Sequence, residues 1–488
     1  MKTCIYKALL GLLLFIGFQA KAQDIFYSKA QKFTLQNGDL NIVGWCGDRL
    51  YTYRSSKEGY FLDAYNDSMR LLATIALDFF PKKIFETQFY ATSESIVVLY
   101  QAIQHNEVVQ YAARLDDKAR IVGKPKALDS VKVAWFSSDK EYYNSVGSAD
   151  RSKIMIYSIG RRKNKRININ TILFDKDLNV LGKGAPYIET NDDVNIEQSL
   201  LSNDGMLYLS GSPDHEYKQF ADNAWIFRLS PSGQQFDVVP VPLTGSYVST
   251  LYMKVNDQTK EIYLGAYYSD DKSDNNEGVI YGVLPPIALE FSTFKKIPFD
   301  EDLRNVSDER NKKRAFNNYE VRKIIVKNDG GFILVGENYT IAVRSYNYGM
   351  GAGYYNYYNT GGYNNTTVRE YHYGDIMVLS YDKDGNRKWH SFIRKDQNST
   401  DDGGMFSSYA LLNSGASLVF MYNDYSLSKS VLSIAAVDID GNLQMKKVNP
   451  SGIGLGDWVT RTGKQTDMKE IIIPVLKKDN LSFARVAF

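Results

Sequence analysis

Eight short apolar runs recur along the chain, at residues 50–53, 96–99, 154–157, 206–209, 262–264, 332–335, 418–421 and 471–473, each after a polar or turn-forming cluster. Their starts lie 46, 58, 52, 56, 70, 86 and 53 residues apart. Several are introduced by one kind of turn, as in Asn203-Asp204-Gly205, Asn328-Asp329-Gly330-Gly331 and Asn413-Ser414-Gly415. Asn, Asp and Gly tolerate the positive φ that tight hairpins require. A second strand follows each run and ends in another turn, the clearest being Asp175-Lys176-Asp177, Asp382-Lys383-Asp384-Gly385 and Asp438-Ile439-Asp440-Gly441. The chain then resumes in stretches such as Val180-Leu181 and Lys388-Trp389. This pattern predicts a meander of about four strands per unit.

Four-stranded units repeating every ~40–60 residues suit radial packing, in which each sheet buries its faces against its two neighbours. A β-helix needs shorter coils, and an immunoglobulin-like array brings linkers that the sequence lacks. The expected fold is all-β, a β-propeller of about eight blades, with seven as the alternative. The last unit stops at a third strand, 482–488, while an unassigned strand, 25–35, precedes the first unit. The N-terminal strand is therefore expected to close the ring and remove two exposed sheet edges.

The turn from Asp382 through Gly385 to Trp389 resembles the D-x-x-G-x-x-x-W element of quinoprotein-like propeller repeats. Only this unit has the tryptophan, so the resemblance supports the architecture and says little about a cofactor. Segments 324–331 and 374–379 look like those of large secreted propeller proteins of the Bacteroidota, most without an assigned activity. That similarity covers about the C-terminal third and carries no catalytic residues with it.

The start of the chain reads as a secretory leader over residues 1–22: Lys2 and Lys7, an apolar stretch of eleven residues from Ala8 to Phe18, and Ala20-Lys21-Ala22 before Gln23. Eleven residues are too few to span a bilayer as a helix. Cys4 lies on the wrong side of the apolar stretch for a lipid anchor. Loss of the leader leaves 55 basic residues against 56 acidic ones, a balance that asks for no nucleic acid. Cys46 remains as the only cysteine, so no intrachain disulfide is expected. Residues 23–488 are expected to form one domain, with a charged helical linker at about 300–316.

No catalytic constellation emerges. The chain has no G-x-S-x-G elbow. His105, His215, His372 and His390 show no metal-ligand spacing. The D-x-D-G turns open like a calcium loop but lack its later ligands, and 380–389 is two residues too long for a sialidase Asp box. No catalytic, metal or cofactor-binding residue is assigned, and no cofactor is expected.

Two features depart from the regular units. The insertion at about 345–374 carries nine tyrosines among Gly and Asn. Tyrosine offers large contact area with few rotors to freeze, as in antibody loops. Tyr354, Tyr355, Tyr357, Tyr358 and Tyr363 are the candidate partner-binding residues; the bland alternative is a flap packed on its own blade. The basic run Arg161-Arg162-Lys163-Asn164-Lys165-Arg166 reads as a solvated hairpin tip. The leading functional expectation is a non-enzymatic periplasmic module, with a secreted one as the alternative, docking on an envelope protein such as an outer-membrane channel or secretion component. The rival is a glycan-binding or glycan-cleaving propeller using Tyr354, Tyr355 and Trp389.

Overall fold

The computed structural model describes residues 24–33, 39–84, 86–132, 142–191, 193–213, 220–272, 275–307, 309–346, 366–426, 429–448 and 456–488. They form eight antiparallel sheets, each a meander of four main strands, arranged as the blades of a closed propeller. Blade 1 runs through Leu40–Cys46, Arg49–Ser56, Gly59–Tyr65 and Leu71–Ala76, and blade 2 through Glu86–Ala91, Ser95–Gln104, Glu107–Asp116 and Lys126–Lys132. First strands of neighbouring blades approach one another, as Leu40–Cys46 does Glu86–Ala91 and Tyr252–Val255 does Tyr319–Val326, and so line the axis. Fourth strands such as Leu71–Ala76 and Leu443–Val448 face solvent at the rim.

All eight apolar runs fall in the second strand of a blade. The physical reason is two-sided burial. In blade 2, Ile96 and Val98 enter the core shared with blade 1, while Val97 and Leu99 enter the core shared with blade 3. A strand buried on both faces reads as a continuous apolar run. The same division repeats around the ring, giving one apolar cluster at each blade-to-blade interface, eight in all, including one between blades 8 and 1.

Blade 8 is built from both ends of the chain. Its first strand is split into Asp457–Trp458 and Lys464–Asp467, followed by Glu470–Lys477 and Asn480–Ala487. Asp24–Tyr27 supplies the outer strand, pairing antiparallel with Ala484 to Ala487. Gln31–Lys32 pairs further along the same strand.

The charged stretch at 300–316 holds a six-residue helix, Glu301–Val306, capped by the Asp300 side chain, and a 3-10 turn at Lys312–Arg314. The basic run forms a hairpin tip between Lys153–Ile159 and Arg166–Asp175 of blade 3, where Arg162 pairs with Asp193 at 2.8 Å. No helix among the described residues is long and apolar enough to cross a membrane.

Candidate binding site on blade 6

Blade 6 departs from its neighbours by the length of its central hairpin. Phe332–Tyr346 and Thr366–Tyr381 pair continuously apart from one irregularity between Glu337 and Tyr339. The first strand, Tyr319–Val326, flanks the hairpin only as far as Asn338. On the other side, Arg387–Ile393 and the short strand Gln397–Thr400 reach only from Tyr381 back to Glu370. Beyond these limits a two-stranded ribbon projects from the blade. On one edge Tyr339 N–H still donates to Asn318 O at 2.8 Å; from Thr340 onward this edge has no strand partner among the described residues, and Val343 on it is 62% exposed. An open edge of this kind is a template for another chain.

At the root of the ribbon lies a cavity of 260 Å³ lined by Arg322, Tyr339, Tyr373, Ser408, Tyr409 and Arg461. Tyr339 and Tyr373 sit opposite each other in the hairpin register, with ring centroids 4.6 Å apart. Ser408 and Tyr409 immediately precede the first strand of blade 7, Ala410–Asn413, and Arg461 belongs to the 3-10 turn Thr460–Thr462 of blade 8. Arg322 is the extra residue where the first strand of blade 6 shifts register between Val321 and Lys323. A bulge re-aims the side chain it carries, and here it turns the guanidinium toward Glu337.

Glu337 forms the floor and is fully buried. Its Oε2 accepts from Arg322 Nε at 3.1 Å and from Ser408 Oγ at 2.8 Å. Lys395 Nζ stands 2.8 Å from Oε1 in an ion pair buried on both sides. The same ammonium donates to Tyr373 O and to Gln397 Oε1, which in turn accepts from Ser408 N. Gln397 and Asn423 carry the network on to the backbone of blades 7 and 8. A buried charge pair survives only when its remaining hydrogen-bonding capacity is met, and three blades contribute to that here.

Burial pushes the Lys395 ammonium below the usual lysine value, against the pull of Glu337. For Arg322 burial acts the same way, but Glu337 and Glu320 outweigh it and the net shift is upward. Burial and Glu337 together push the Tyr409 hydroxyl well above its ordinary range. Arg461 at the rim donates to Gly403 O at 2.7 Å, with its guanidinium 5.7 Å from the Tyr373 ring centroid. Three cations, Arg322, Lys395 and Arg461, thus meet two carboxylates, Glu320 and Glu337. The surplus positive charge and the aromatic walls suit a ligand group that is planar, anionic or both. Glu337 and Lys395 lie too deep to touch such a ligand and act by orienting Arg322 and Ser408.

Tyr354, Tyr355, Tyr357, Tyr358 and Tyr363 lie outside the described residues. Of the insertion's other tyrosines, Tyr371 and Tyr373 belong to the ribbon, and Tyr373 enters the cavity. Trp389, named for a glycan platform, is a contact between blades: its Nε1 donates to Ile439 O at 2.8 Å, and it packs in the core of blades 6 and 7. His105 is at a hairpin tip of blade 2, His372 and His390 are on blade 6, and His215 lies outside the described residues. Among the described residues no three His, Cys, Asp or Glu side chains gather as a metal-ligand set. Sequence reasoning missed Arg322, Ser408, Tyr409 and Arg461. The available signal was Glu337, a carboxylate two residues beyond a fully apolar run.

No family model matches the chain, and no curated protein matches it. Among solved structures it is similar to an oligogalacturonate lyase in complex with manganese, at 10% identity over 96% of each chain with a TM-score of 0.39. It is also similar to the dihydro-heme d1 dehydrogenase NirN, at 11% identity over 90% of this chain and 69% of that one, TM-score 0.38. Prolyl oligopeptidase B from Galerina marginata matches at 10% identity over 82% of this chain and 55% of its own, TM-score 0.36.

Proposed function

We propose that the protein is an interaction module of the cell envelope, in which the propeller is a rigid disc and the blade 6 ribbon docks a partner protein, an outer-membrane channel or a secretion component. The observation that carries this reading is the ribbon itself: a two-stranded extension with an open edge, rising beside a cationic, tyrosine-lined cavity. An edge offers main-chain hydrogen bonds, and the cavity offers a socket for one anchoring side chain of the partner. Periplasmic placement rests on the leader at 1–22. The test uses the mature chain from residue 23, recovered from envelope extracts with its partner. Replacing Tyr354, Tyr355, Tyr357 and Tyr358 with Ser, or Arg461 with Glu, should abolish co-purification at an unchanged melting temperature. Retained co-purification in both variants overturns the reading, and selective binding to a polysaccharide array replaces it with the glycan alternative.

A further inference from the structure

A second cavity, of 90 Å³, lies among the first strands of blades 1, 2 and 8 and the turn after the first strand of blade 3. Blade 8 contributes Lys464 and blade 3 contributes Arg151, from the turn after Asn144–Gly147. Trp45 of blade 1 and Tyr90 of blade 2 stand beside them, together with Ser148. Lys464 Nζ donates to Ile42 O and Val43 O, both at 3.1 Å. Two carbonyls leave one of its three N–H groups over. Arg151 makes one long contact, 3.5 Å to Ala91 O.

Among the described residues neither cation is paired with a carboxylate. Two acids of the adjoining strand and turn, Glu470 and Asp150, are engaged elsewhere. Glu470 lies behind the wall, accepting from Trp45 Nε1 and Thr466 Oγ1 at 2.6 Å each and pairing with Arg485. Asp150 accepts from Ser148 and Ser152. Lys254 and Lys323, exposed on the first strands of blades 5 and 6, lie near enough to act on each other as like charges. Two like charges in a confined cavity repel, and a ligand carrying the opposite charge relieves both at once.

We infer that the Arg151–Lys464 cavity binds an oxyanion, a phosphate, sulfate or carboxylate group, held between the guanidinium and the ammonium. Trp45 and Tyr90 would face whatever planar group the anion is attached to. This site is separate from the ribbon and does not depend on the docking function.

Protonation supplies an internal check. Burial, with Arg151 nearby, pushes the Lys464 ammonium down to about 8. The charged groups around it are Arg151, the engaged pair of Glu470 and Arg485, and Asp150 in its own turn; the neighbouring Tyr90 hydroxyl is raised to about 12 by burial and stays neutral. Lys464 is therefore the group that changes charge between neutral and mildly alkaline pH. Sulfate, which does not titrate in this range, should bind with constant affinity below about pH 7 and lose affinity as the pH rises through 8.

The experiment titrates sulfate into the mature chain in an oxyanion-free buffer, followed by calorimetry and tryptophan emission. One saturable site is expected, weakened at least about tenfold by either Arg151→Gln or Lys464→Gln, since each removes a charge-assisted hydrogen bond. Lys254→Gln should change it less than about threefold, being a charge at longer range. Phenyl phosphate binding at least about tenfold tighter than sulfate assigns the site to an organic ligand stacked on Trp45, whereas equal affinity assigns it to a free inorganic anion. Absence of saturable binding, equal binding by all variants, or a pH profile flat to 9.5 would overturn the inference. The pH profile is read on the unmodified chain, so it stands even where a variant is unstable.

Discussion

Lys395 and Glu337 show what a single pair of residues costs and returns in this fold. Both side chains are sealed from water, at 1% and 0% exposure, and an unpaired charge there would be expensive. Glu337 satisfies Arg322, Ser408 and Lys395 together, so blades 6 and 7 are tied at the root of the ribbon. Gly336, next to it, is equally constrained. The Tyr267 hydroxyl of blade 5 lies 2.1 Å from where a β-carbon would be, so only glycine fits. Lys395→Met is predicted to destabilise the fold by about 3 kcal/mol, because it strips the cation from the buried Glu337 Oε1 and leaves Arg322 as the one cation paired with that carboxylate. The double variant Glu337→Gln with Lys395→Met should recover a large part of that loss, since a neutral amide then faces Arg322 and Ser408. Chemical denaturation of the three proteins measures both effects. A single variant as stable as the parent would show that the pair contributes no net order to the site.

Turns between third and fourth strands illustrate how one local device is reused. In blades 3, 6 and 7 an aspartate, Asp175, Asp382 or Asp438, accepts backbone N–H groups two and four residues on, and its second oxygen accepts the side chain of Asn179, Asn386 or Asn442. These carboxylates need no calcium to explain their spacing, because their own turns satisfy them. Hydrogen bonds from the turn hold all three below the usual aspartate value of 3.8, against some desolvation. A carboxylate held low in the fold stabilises fully above its unfolded value and loses that contribution as pH falls through the folded one. Replacing the three with Asn should lower the melting temperature at about pH 6 and flatten its decline between about pH 4 and pH 2. A parallel decline in both proteins would contradict this. The same turns explain what could be read from the sequence. Second strands were legible because they are apolar on both faces, and these turns because Asp, Asn and Gly advertise them. The first strand of blade 8 was not, since Asp457–Trp458 is only two residues long and Lys464–Asp467 is short, polar and partly exposed. Tyr339 and Tyr373 sit on the second and third strands of blade 6, but Arg322, Ser408, Tyr409 and Arg461 sit on first strands or just before their pieces, in three blades, and only the closed ring makes them neighbours.

Closure makes the whole molecule one cooperative object, and it depends on ten residues at the start of the described chain. Asp24 to Tyr27 form the outer strand of blade 8, and Ser28 continues the pairing: its N–H donates to Phe483 O and its hydroxyl oxygen accepts from Phe483 N–H, both at 2.9 Å. Tyr27 meets Trp458 edge to face at 6.0 Å, Arg485 lies 5.5 Å from the Phe26 ring centroid, and Phe33 is buried in the cluster joining blades 8 and 1. The segment therefore pairs the last strand and fills part of the final interface. Removing residues 24–33 should expose the edge of Asn480–Ala487 and open the cluster that contains Ile42, Leu50 and Phe483. Ile25 and Tyr27 also pack on the cluster between blades 7 and 8, which is trimmed, while the other six interfaces remain, so the truncated chain should still collapse into blades. It should melt at a lower temperature, with a broader transition, and self-associate through the uncovered edge as concentration rises. Adding a peptide of residues 24–33 in trans should restore the melting temperature and the monomer, because the strand pairs without a covalent link to blade 1. Calorimetry and sedimentation on the truncated chain, with and without peptide, decide the matter. An unchanged transition in a monomeric truncated protein would mean that the inner strands and apolar interfaces alone hold the ring.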